Sequence, residues 1–277
     1  MIPAAFDYER AESVDHAIEL LGSDEGEAKI LAGGHSLLPL MKLRLAQPSK
    51  LVDISRVEGL SEISDEADAI VIGALTRHHD VANSDVLQVN CPIVAHTAGE
   101  IGDPAVRHVG TIGGSVAHAD PASDLPTVLL ALGATMVVRG PGGASREVGA
   151  GDFFKGLFEP DLAPDEVLVQ IRVPRHTGGW SYLKFHRRAQ DWALVGVAAL
   201  AANGSGPTVA LTNMGDRPLR ANAVEQALGA GADPATAAQL AAEGTSPPSD
   251  AFGSAEYRRE LSKVLVQRAL EQAMEQR

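Results

Sequence analysis

Apolar positions at the start of the chain show first helical and then strand-like spacing. Between Ser13, a favourable N-cap, and Gly22, apolar residues recur at intervals of three and four, which predicts a helix over residues 14–22. Two short apolar runs, residues 28–32 and 51–54, have the length of buried strands. The pattern therefore predicts a small α/β unit over about the first fifty residues.

Strand-like and helical segments also alternate in the middle of the chain. Residues 69–75 predict a strand, Thr76 is placed to cap a helix directly after it, and Pro92 suits the first turn of another helix. Ser123 is placed to cap a further apolar helix, and Gly133 follows its predicted end. These elements are interpreted as scaffold.

A predicted hairpin and a predicted strand complete this middle part. Residues 135–139 and 145–148 flank a Gly-Pro-Gly-Gly sequence, which is the composition of a hairpin turn. Residues 167–173 alternate in the manner of a strand and stop at Pro174.

The last hundred or so residues show a different order of elements. Three strand candidates follow a Gly-Gly break, at residues 180–186, 193–201 and 208–212. Three helical segments complete the chain: residues 222–228, 236–243 and 255–274. This order predicts an antiparallel meander with helices, in a separate C-terminal domain of α+β type.

Charge excludes two classes of partner. The chain has 277 residues, enough for two domains with cores of their own. Lysine and arginine total 23 against 36 aspartates and glutamates, so the formal net charge is −13, and no polybasic block occurs. Nucleic acid and anionic membrane surfaces are therefore not expected as partners.

Hydropathy and cysteine content bound the location and the redox chemistry. No apolar run approaches the roughly 18 residues of a membrane span, and the first residues lack the basic start and apolar centre of a signal peptide. A cytoplasmic chain with no integral membrane segment is expected. The single Cys91 excludes an internal disulfide and an iron–sulfur cluster held by four cysteines of this chain. Any such cluster must belong to another subunit.

The first candidate binding motif is a glycine pair. The apolar run at residues 28–32 breaks at Gly33 and Gly34, and the helix-like sequence LLPLMKLR follows Ser36. Glycine permits backbone angles closed to other residues, and free N–H groups at a helix start favour phosphate. Two interpretations stay open from this motif alone, an anion site capped by Ser36 and an ordinary glycine turn.

A second glycine motif, Gly-Thr-Ile-Gly-Gly-Ser at residues 110–115, lies within residues 99–122. That stretch is rich in Gly, Pro, His and Asp and has no periodicity, so it is predicted to be irregular and to collect binding groups. Both glycine motifs recur, in this order, in one known family. The chain resembles the flavoprotein, or medium, subunits of molybdenum hydroxylases of the carbon monoxide dehydrogenase and xanthine dehydrogenase type. The resemblance rests on four segments: AGGHSLLPLMKLR, TIGGSVAHADPASDLPTVLLALGA, ExLVxIxVP at residues 166–174, and YLKFHRR at residues 182–188.

The resemblance implies a fold and a domain division. The fold is α+β, with a two-subdomain FAD-binding fold of the vanillyl-alcohol-oxidase (PCMH) type followed by a C-terminal antiparallel sheet plus helices. The implied boundaries are 1–56 for the first FAD-binding subdomain, 57–176 for the second and 177–277 for the C-terminal flavoprotein domain.

The resemblance also implies a function within a larger complex. The chain is expected to bind FAD noncovalently, to take electrons from [2Fe-2S] clusters on a small iron–sulfur subunit, and to pass them to an external acceptor. A large subunit with the molybdenum cofactor is expected to oxidise the substrate, in a heterotrimer that pairs into a dimer of heterotrimers. Neither the substrate nor the acceptor, whether oxygen, NAD or a quinone, follows from this chain.

Residues that match the family's flavin contacts form the predicted binding set. Asp124 is expected to contact a ribose or ring polar group, Leu168 to pack beside the ring, and Lys184 to stabilise negative charge on the reduced isoalloxazine. No catalytic residue and no metal ligand is predicted. The set is Ala32, Gly33, Gly34, His35, Ser36, Leu37, Ile101, Gly102, Thr111, Gly113, Gly114, Ser115, Ala117, Ser123, Asp124, Leu168, Lys184 and Trp192.

Several residues have competing interpretations. His118, Asp120 and Asp124 are residue types that bind divalent ions, but helix capping and nucleotide contact explain the same stretch. His35 is a potential covalent flavin attachment site, as in related stand-alone oxidases, although noncovalent binding is favoured. Cys91 lacks the surroundings of a nucleophile.

Two other functions remain as alternatives to the electron-transfer subunit. One is a stand-alone FAD-dependent oxidase, and the other is a nonenzymatic nucleotide-binding module. The oxidase is disfavoured because such enzymes devote a large extra domain to the substrate, whereas only about a hundred residues follow Pro174.

Overall fold

The computed structural model describes residues 2–23, 27–201 and 206–276. Within them the chain forms sheets of three, five and four strands and a two-stranded ribbon, all accompanied by helices. The last large sheet is antiparallel and packs with helices, so the predicted α+β class with a C-terminal antiparallel sheet plus helices is confirmed.

The first sheet is parallel and has the order β1-β3-β2. One residue, Ala32, separates the end of β2 from the first glycine pair, so the sheet places that pair at its carboxyl edge. Ser13 caps helix α1 as predicted, because its hydroxyl accepts a hydrogen bond from the His16 N–H at 3.1 Å. The elements are β1 Asp7–Arg10, α1 Val14–Gly22, β2 Lys29–Leu31, α2 Leu37–Lys42 and β3 Lys50–Asp53.

The second sheet is antiparallel and has the order β4-β5-β10-β6-β7. The predicted hairpin is confirmed, since Thr135 pairs with Gly149 and Arg139 with Ser145. The strands of this sheet and of the neighbouring ribbon β8-β9 are β4 Ile63–Asp65, β5 Ile70–Gly73, β6 Thr135–Arg139, β7 Ser145–Gly149, β8 Phe154–Gly156, β9 Glu159–Pro160 and β10 Val167–Val173.

Helices between β5 and β6 cover one face of this sheet. The central one, α8, is buried along almost its whole length and fills the middle of the molecule with Leu125, Val128 and Leu129. A 3₁₀ turn, Pro141–Gly143, joins β6 to β7. The helices are α3 His78–Ala82, α4 Asp85–Asn90, α5 Pro92–Gly99, α6 Pro104–Arg107, α7 Ile112–His118, α8 Asp124–Leu132 and, after β7, α9 Ala150–Phe153.

Two expectations for this region are wrong. The stretch 99–122 is not irregular throughout, because it contains α6 and α7, whose first turns are capped by the side chains of Asp103 and Thr111. These caps and packing override the low helix propensity of glycine. Thr76 does not cap α3, since Arg77 occupies the N-cap position and the Thr76 side chain is buried. Ser123 does occupy the N-cap position of α8, but its side chain makes no capping hydrogen bond in the described structure.

The third sheet, β11-β12-β13-β14, is the predicted antiparallel meander. One face packs on α12 through residues such as Val197 and Leu211, and the other face, with Tyr182, Ala198 and Ala210, joins the core that contains α8. Helix α11 is shorter than the predicted 236–243. The elements are β11 Trp180–Phe185, β12 Val195–Leu200, β13 Thr208–Thr212, β14 Leu219–Arg220, α10 Asn222–Gly229, α11 Pro234–Ala238 and α12 Ala255–Glu275.

The longest described helix is α12, with 21 residues. It buries Leu265, Val266 and Ala269 against the third sheet and turns its charged residues, apart from the buried Arg258, toward the outside. None of the described helices is both long enough and apolar enough to cross a membrane.

Candidate functional site

A cavity of about 580 Å³ lies where the three sheets and their helices meet. Its walls come from the segment between β2 and α2, the amino end of α7, the amino end of α8, strand β10 and strand β11 with the loop after it. Every residue of the predicted binding set lines this cavity. The sequence signals, which are spread over most of the chain, therefore converge on one place.

The first glycine pair has a steric and a conformational cause. A Cβ atom on Gly33 would lie 2.3 Å from the Val109 carbonyl oxygen, so only glycine allows the β2–α2 segment to approach the segment before α7. Gly34 has φ +71°, in the left-handed region that favours glycine. Both glycines are thus required to shape this part of the cavity wall.

Consecutive backbone donors without an acceptor distinguish this segment. Among the residues that the structure describes, none accepts a hydrogen bond from the five N–H groups of residues 33–37, and all five residues line the cavity. Ser36 occupies the N-cap position of α2, but its φ of −99° and ψ of −50° are helical and its side chain makes no capping hydrogen bond in the described structure. The expected Ser36 cap is therefore wrong, and the donors stay available to a ligand.

The second glycine motif forms the first turn of α7 and uses its donors internally. The Thr111 hydroxyl accepts from the Gly114 N–H at 3.1 Å. The N–H groups of Ile112 and Gly113 donate to the carbonyl oxygens of Thr76 and Ala74, each at 2.9 Å. This helix start is thus tied to the end of β5 and is already capped.

The two glycines of α7 have different surroundings. A Cβ on Gly113 would lie 2.5 Å from both the Cβ and the carbonyl oxygen of Ala74. A Cβ on Gly114 would meet one described atom within 4 Å, the Thr111 hydroxyl oxygen at 2.9 Å, and Gly114 is exposed toward the cavity. Gly113 therefore permits packing of the helix on the strand, whereas Gly114 leaves space in the cavity.

His78 lines the cavity, although its sequence position gave no sign of it. The His78 ring is buried, its Nε2 lies 3.1 Å from the Ser115 hydroxyl, and its Nδ1 has no hydrogen-bond partner in the described part of the chain. Burial, with the nearby Arg107 charge, lowers the pKa of His78 to about 4. The imidazole is thus neutral at physiological pH and holds Ser115 in the wall.

A buried ion pair forms another part of the wall. The Lys184 ammonium lies 2.8 Å from Asp124 Oδ2, and both side chains are at most 5% exposed. The Tyr182 hydroxyl donates to Asp124 Oδ1 at 2.5 Å. Burial raises the pKa of Asp124, while the Lys184 ammonium and the Tyr182 hydroxyl both act to lower it. Lys184 is therefore held in the cavity wall by a buried ion pair.

The loop between β11 and β12 carries Trp192 to the cavity mouth. Trp192 lines the cavity and is 59% exposed. The loop is fixed at its far end, because the Asn213 side chain donates to the Ala193 carbonyl at 2.7 Å and the buried Arg258 donates to the Leu194 carbonyl at 2.5 Å. The tryptophan thus projects from an anchored loop.

Sequence reasoning missed one wall of the cavity, residues 160–164, which precede β10. Arg146 holds this segment by donating to both carboxylate oxygens of Glu166, at 2.8 and 2.6 Å, and to Asp161 at 2.9 Å. Hydrogen bonding to Arg146 lowers the pKa of Glu166. Arg146 is 15 residues from Asp161 and 20 residues from Glu166 in sequence. Ion pairs at such separations produce no periodic pattern, so the spacing of residues in the chain does not indicate this wall.

The residues with competing interpretations have other surroundings. The His118 ring lies 5.0 Å from the Phe158 ring, and within residues 2–23, 27–201 and 206–276 no three His, Cys, Asp or Glu side chains are grouped for a metal ion. Cys91 is fully buried, and burial raises the pKa of its thiol to about 12. Such a thiol packs as a small apolar group.

Comparison with known protein families gives two matches that together span the chain. Residues 4–176 match the FAD binding domain in molybdopterin dehydrogenase, and residues 180–273 match the CO dehydrogenase flavoprotein C-terminal domain. The glycine motifs and the walls built from α8 and β10 lie in the first match. Lys184 and Trp192 lie in the second.

Individual relatives are similar over their whole length. The chain is 42% identical to the carbon monoxide dehydrogenase medium chain of Hydrogenophaga pseudoflava, over 99% of this chain and 98% of that one. It is 40% identical to the glyceraldehyde dehydrogenase medium chain of Sulfolobus acidocaldarius, over 98% and 99% of the two chains. A solved structure of carbon monoxide dehydrogenase from Hydrogenophaga pseudoflava superposes with a TM-score of 0.95 at 42% identity, covering 100% of this chain and 99% of the other. The chain therefore belongs to the FAD-binding medium subunits of the molybdenum hydroxylase family.

Proposed function

We propose that this chain is the electron-transfer subunit of a heterotrimeric molybdenum hydroxylase. It takes electrons from the [2Fe-2S] clusters of a small partner subunit and passes them to an external acceptor, while a large subunit with the molybdenum cofactor oxidises the substrate. Full-length similarity to medium chains of such dehydrogenases supports this assignment. The single cysteine supports it as well, because iron–sulfur clusters require several cysteine ligands.

The observation that carries the proposal is the run of five N–H groups at residues 33–37 in the cavity wall. Backbone donors that lack protein acceptors at a helix start are suited to a phosphate or pyrophosphate. The glycines at 33 and 34 keep side chains away from this surface. We infer that this segment holds the pyrophosphate of FAD noncovalently.

The rest of the predicted binding set provides the other walls of the FAD site. Ile101 and Leu168 are apolar, Gly114 leaves space, and the remaining polar positions include Ser115 and Ser123. FAD, when bound, accepts electrons singly and delivers them in pairs. The lining residues would bind and orient the cofactor, with the exposed Trp192 at the mouth of the cavity. This task needs no general acid or base.

The arrangement of the chain and its complex is part of the proposal. We assign residues 1–56 and 57–176 to the two FAD-binding subdomains and 177–277 to the C-terminal domain. The sheet boundaries support this division, since the three large sheets occupy successive stretches of sequence. A dimer of heterotrimers in the cytoplasm completes the proposed assembly.

Expression of the chain alone and together with both partner subunits tests the function. We expect the isolated chain to retain FAD, to release all yellow colour to the supernatant on acid precipitation, and to leave candidate substrates unoxidised. After reduction with dithionite, its flavin spectrum should recover on addition of the correct acceptor. Substrate-dependent bleaching in the absence of partners would instead establish a stand-alone oxidase. A chain that carries no flavin would contradict the proposal, and flavin retained on the pellet would indicate attachment at His35.

A further inference from the structure

Three side chains beside the cavity form one hydrogen-bonded unit. Tyr182 and Lys184 are two residues apart on β11 and therefore project from the same face of the strand. Each donates to a different oxygen of the Asp124 carboxylate, Tyr182 to Oδ1 at 2.5 Å and Lys184 to Oδ2 at 2.8 Å. The carboxylate on α8 thus bridges two donors from the third sheet.

The members of this unit differ in their access to the cavity. Asp124 and Lys184 line the cavity. Within the part of the chain that the structure describes, Tyr182 lies behind them and does not reach the cavity wall. All three side chains are at most 5% exposed. Any influence of Tyr182 on a ligand therefore passes through Asp124.

The structure leaves space for the Tyr182 hydroxyl. Gly196 pairs with Lys184 across β11 and β12. A Cβ on Gly196 would lie 2.9 Å from the Tyr182 hydroxyl oxygen and 2.8 Å from the Thr212 hydroxyl oxygen. Thr212 in turn donates to Thr127 on α8 at 2.8 Å. Because Gly196 has no side chain, there is space for the hydroxyl groups of Tyr182 and Thr212, which connect the third sheet to α8.

We infer that Tyr182 is a positioning residue for the flavin site, which rests on the proposed FAD function. Its hydroxyl fixes the Asp124 carboxylate, and the carboxylate fixes and neutralises the Lys184 ammonium in the cavity wall. The wall consequently presents an oriented ion pair rather than a free positive charge.

The inference predicts how the unit responds to pH. The groups that face Asp124 are Tyr182 and Lys184 from β11 and Glu100 at the end of α5, whose carbonyl also accepts from Lys184 at 3.3 Å. Tyr182 hydrogen bonding lowers the pKa of Asp124, so the loss of this hydroxyl raises that pKa. As the pH falls, Asp124 in a Tyr182→Phe variant is protonated before it is in the wild type. Lys184 then keeps an uncompensated charge, which favours the more negative, reduced flavin.

The test compares the wild-type chain with Tyr182→Phe, which keeps the ring in the core, and with Tyr257→Phe, which removes a hydroxyl from a half-exposed tyrosine on α12. FAD affinity is measured by titrating flavin into the apoprotein, and the midpoint potential of bound FAD is measured across pH. We expect about tenfold weaker FAD binding for Tyr182→Phe. We also expect the midpoint potential of FAD in Tyr182→Phe to be more positive than that of the wild type at low pH. At high pH the two potentials should be the same. Tyr257→Phe should match the wild type in both.

Gly196→Ala provides a second variant, since the added methyl displaces the Tyr182 hydroxyl without removing it. Gly196→Ala should shift the pH dependence of the FAD midpoint potential in the same direction as Tyr182→Phe does. Superimposable affinity and potential profiles for the wild type and Tyr182→Phe would overturn the inference and leave the proposed function intact. A wild-type chain that binds no FAD would overturn the proposed function itself.

Discussion

The two glycine motifs have similar sequences but contrasting structures. At residues 33–37 the N–H groups have no acceptor in the described structure, and the serine at the helix start makes no cap. At residues 111–115 the corresponding donors are used by Thr111, Thr76 and Ala74. A glycine pair before a helix can thus leave its N–H donors without a protein acceptor in one place and permit helix packing in another.

The contrast shows that the hydrogen-bond partners of a glycine motif decide its role. The motif after β2 keeps its donors free because Gly34 turns the chain through a left-handed conformation. The motif after β5 bends back onto that strand, since Ile112 and Gly113 bond to residues directly after it. We therefore expect some substitutions in these motifs to weaken ligand binding with little effect on stability, and others to lower stability by disturbing the packing of the helix.

The largest expected effect is on FAD binding, from Gly114→Val. A Cβ at this position meets one described protein atom within 4 Å, so the added side chain fills cavity space that the nucleotide needs. We expect FAD retention to be abolished while the circular dichroism spectrum stays that of the wild type. The unfolding free energy should fall by no more than about 1 kcal/mol, because the added Cβ also crowds the Thr111 hydroxyl that caps α7. Flavin absorbance per chain after desalting measures retention.

Gly229→Val is the matched control for this substitution. Gly229 lies in α10 with no described atom within 4 Å of an added Cβ, and it does not line the cavity. Valine has a somewhat higher helix propensity than glycine, so this variant should be at least as stable as the wild type, and its flavin content should be unchanged. If the Gly114→Val chain folded and kept full flavin occupancy, the placement of Gly114 in the flavin-binding surface would be wrong.

The next effect is on stability, from Gly113→Ala. The added methyl would lie 2.5 Å from the Ala74 backbone oxygen, so α7 has to move away from β5. Overpacking of this kind costs about 1–3 kcal/mol of unfolding free energy. Urea unfolding of the apoprotein should show this loss for Gly113→Ala and a much smaller one for Gly114→Ala. Equal losses at the two positions would contradict the assigned division between packing and cavity.

Sequence periodicity was sufficient to predict the helices and strands that bury one face and expose the other. The helix after Ser13, the 135–149 hairpin and the C-terminal meander were predicted because their apolar positions recur with helical or strand spacing. Strand β1 gave no such signal, since all of its residues are exposed and its pairing with β3 defines it. Helix α7 was missed because its glycines disfavour helix locally, and tertiary hydrogen bonds compensate.

The cavity was predictable as a set of residues, but its internal contacts were not. Family resemblance pointed to residues that do line one cavity. It gave no sign of the Asp124–Lys184 ion pair, whose members are 60 residues apart, or of His78 behind Ser115, at a separation of 37. Such contacts depend on how the sheets pack, which no local pattern encodes.

The smallest expected effects come from substitutions at the N-cap positions of α7 and α2, and they test the contrast between the two glycine motifs most directly. Thr111 uses its hydroxyl to cap α7, so Thr111→Ala should cost about 1 kcal/mol of unfolding free energy, whereas Thr111→Ser keeps the hydroxyl and should cost less. Ser36 makes no capping hydrogen bond, so Ser36→Ala should change stability by less than about 0.5 kcal/mol. Urea unfolding of the three apoprotein variants under identical conditions measures the difference. If Ser36→Ala proved as destabilising as Thr111→Ala, the serine would be a structural cap, and the N–H groups beside it would be engaged by the protein itself rather than held free for a nucleotide.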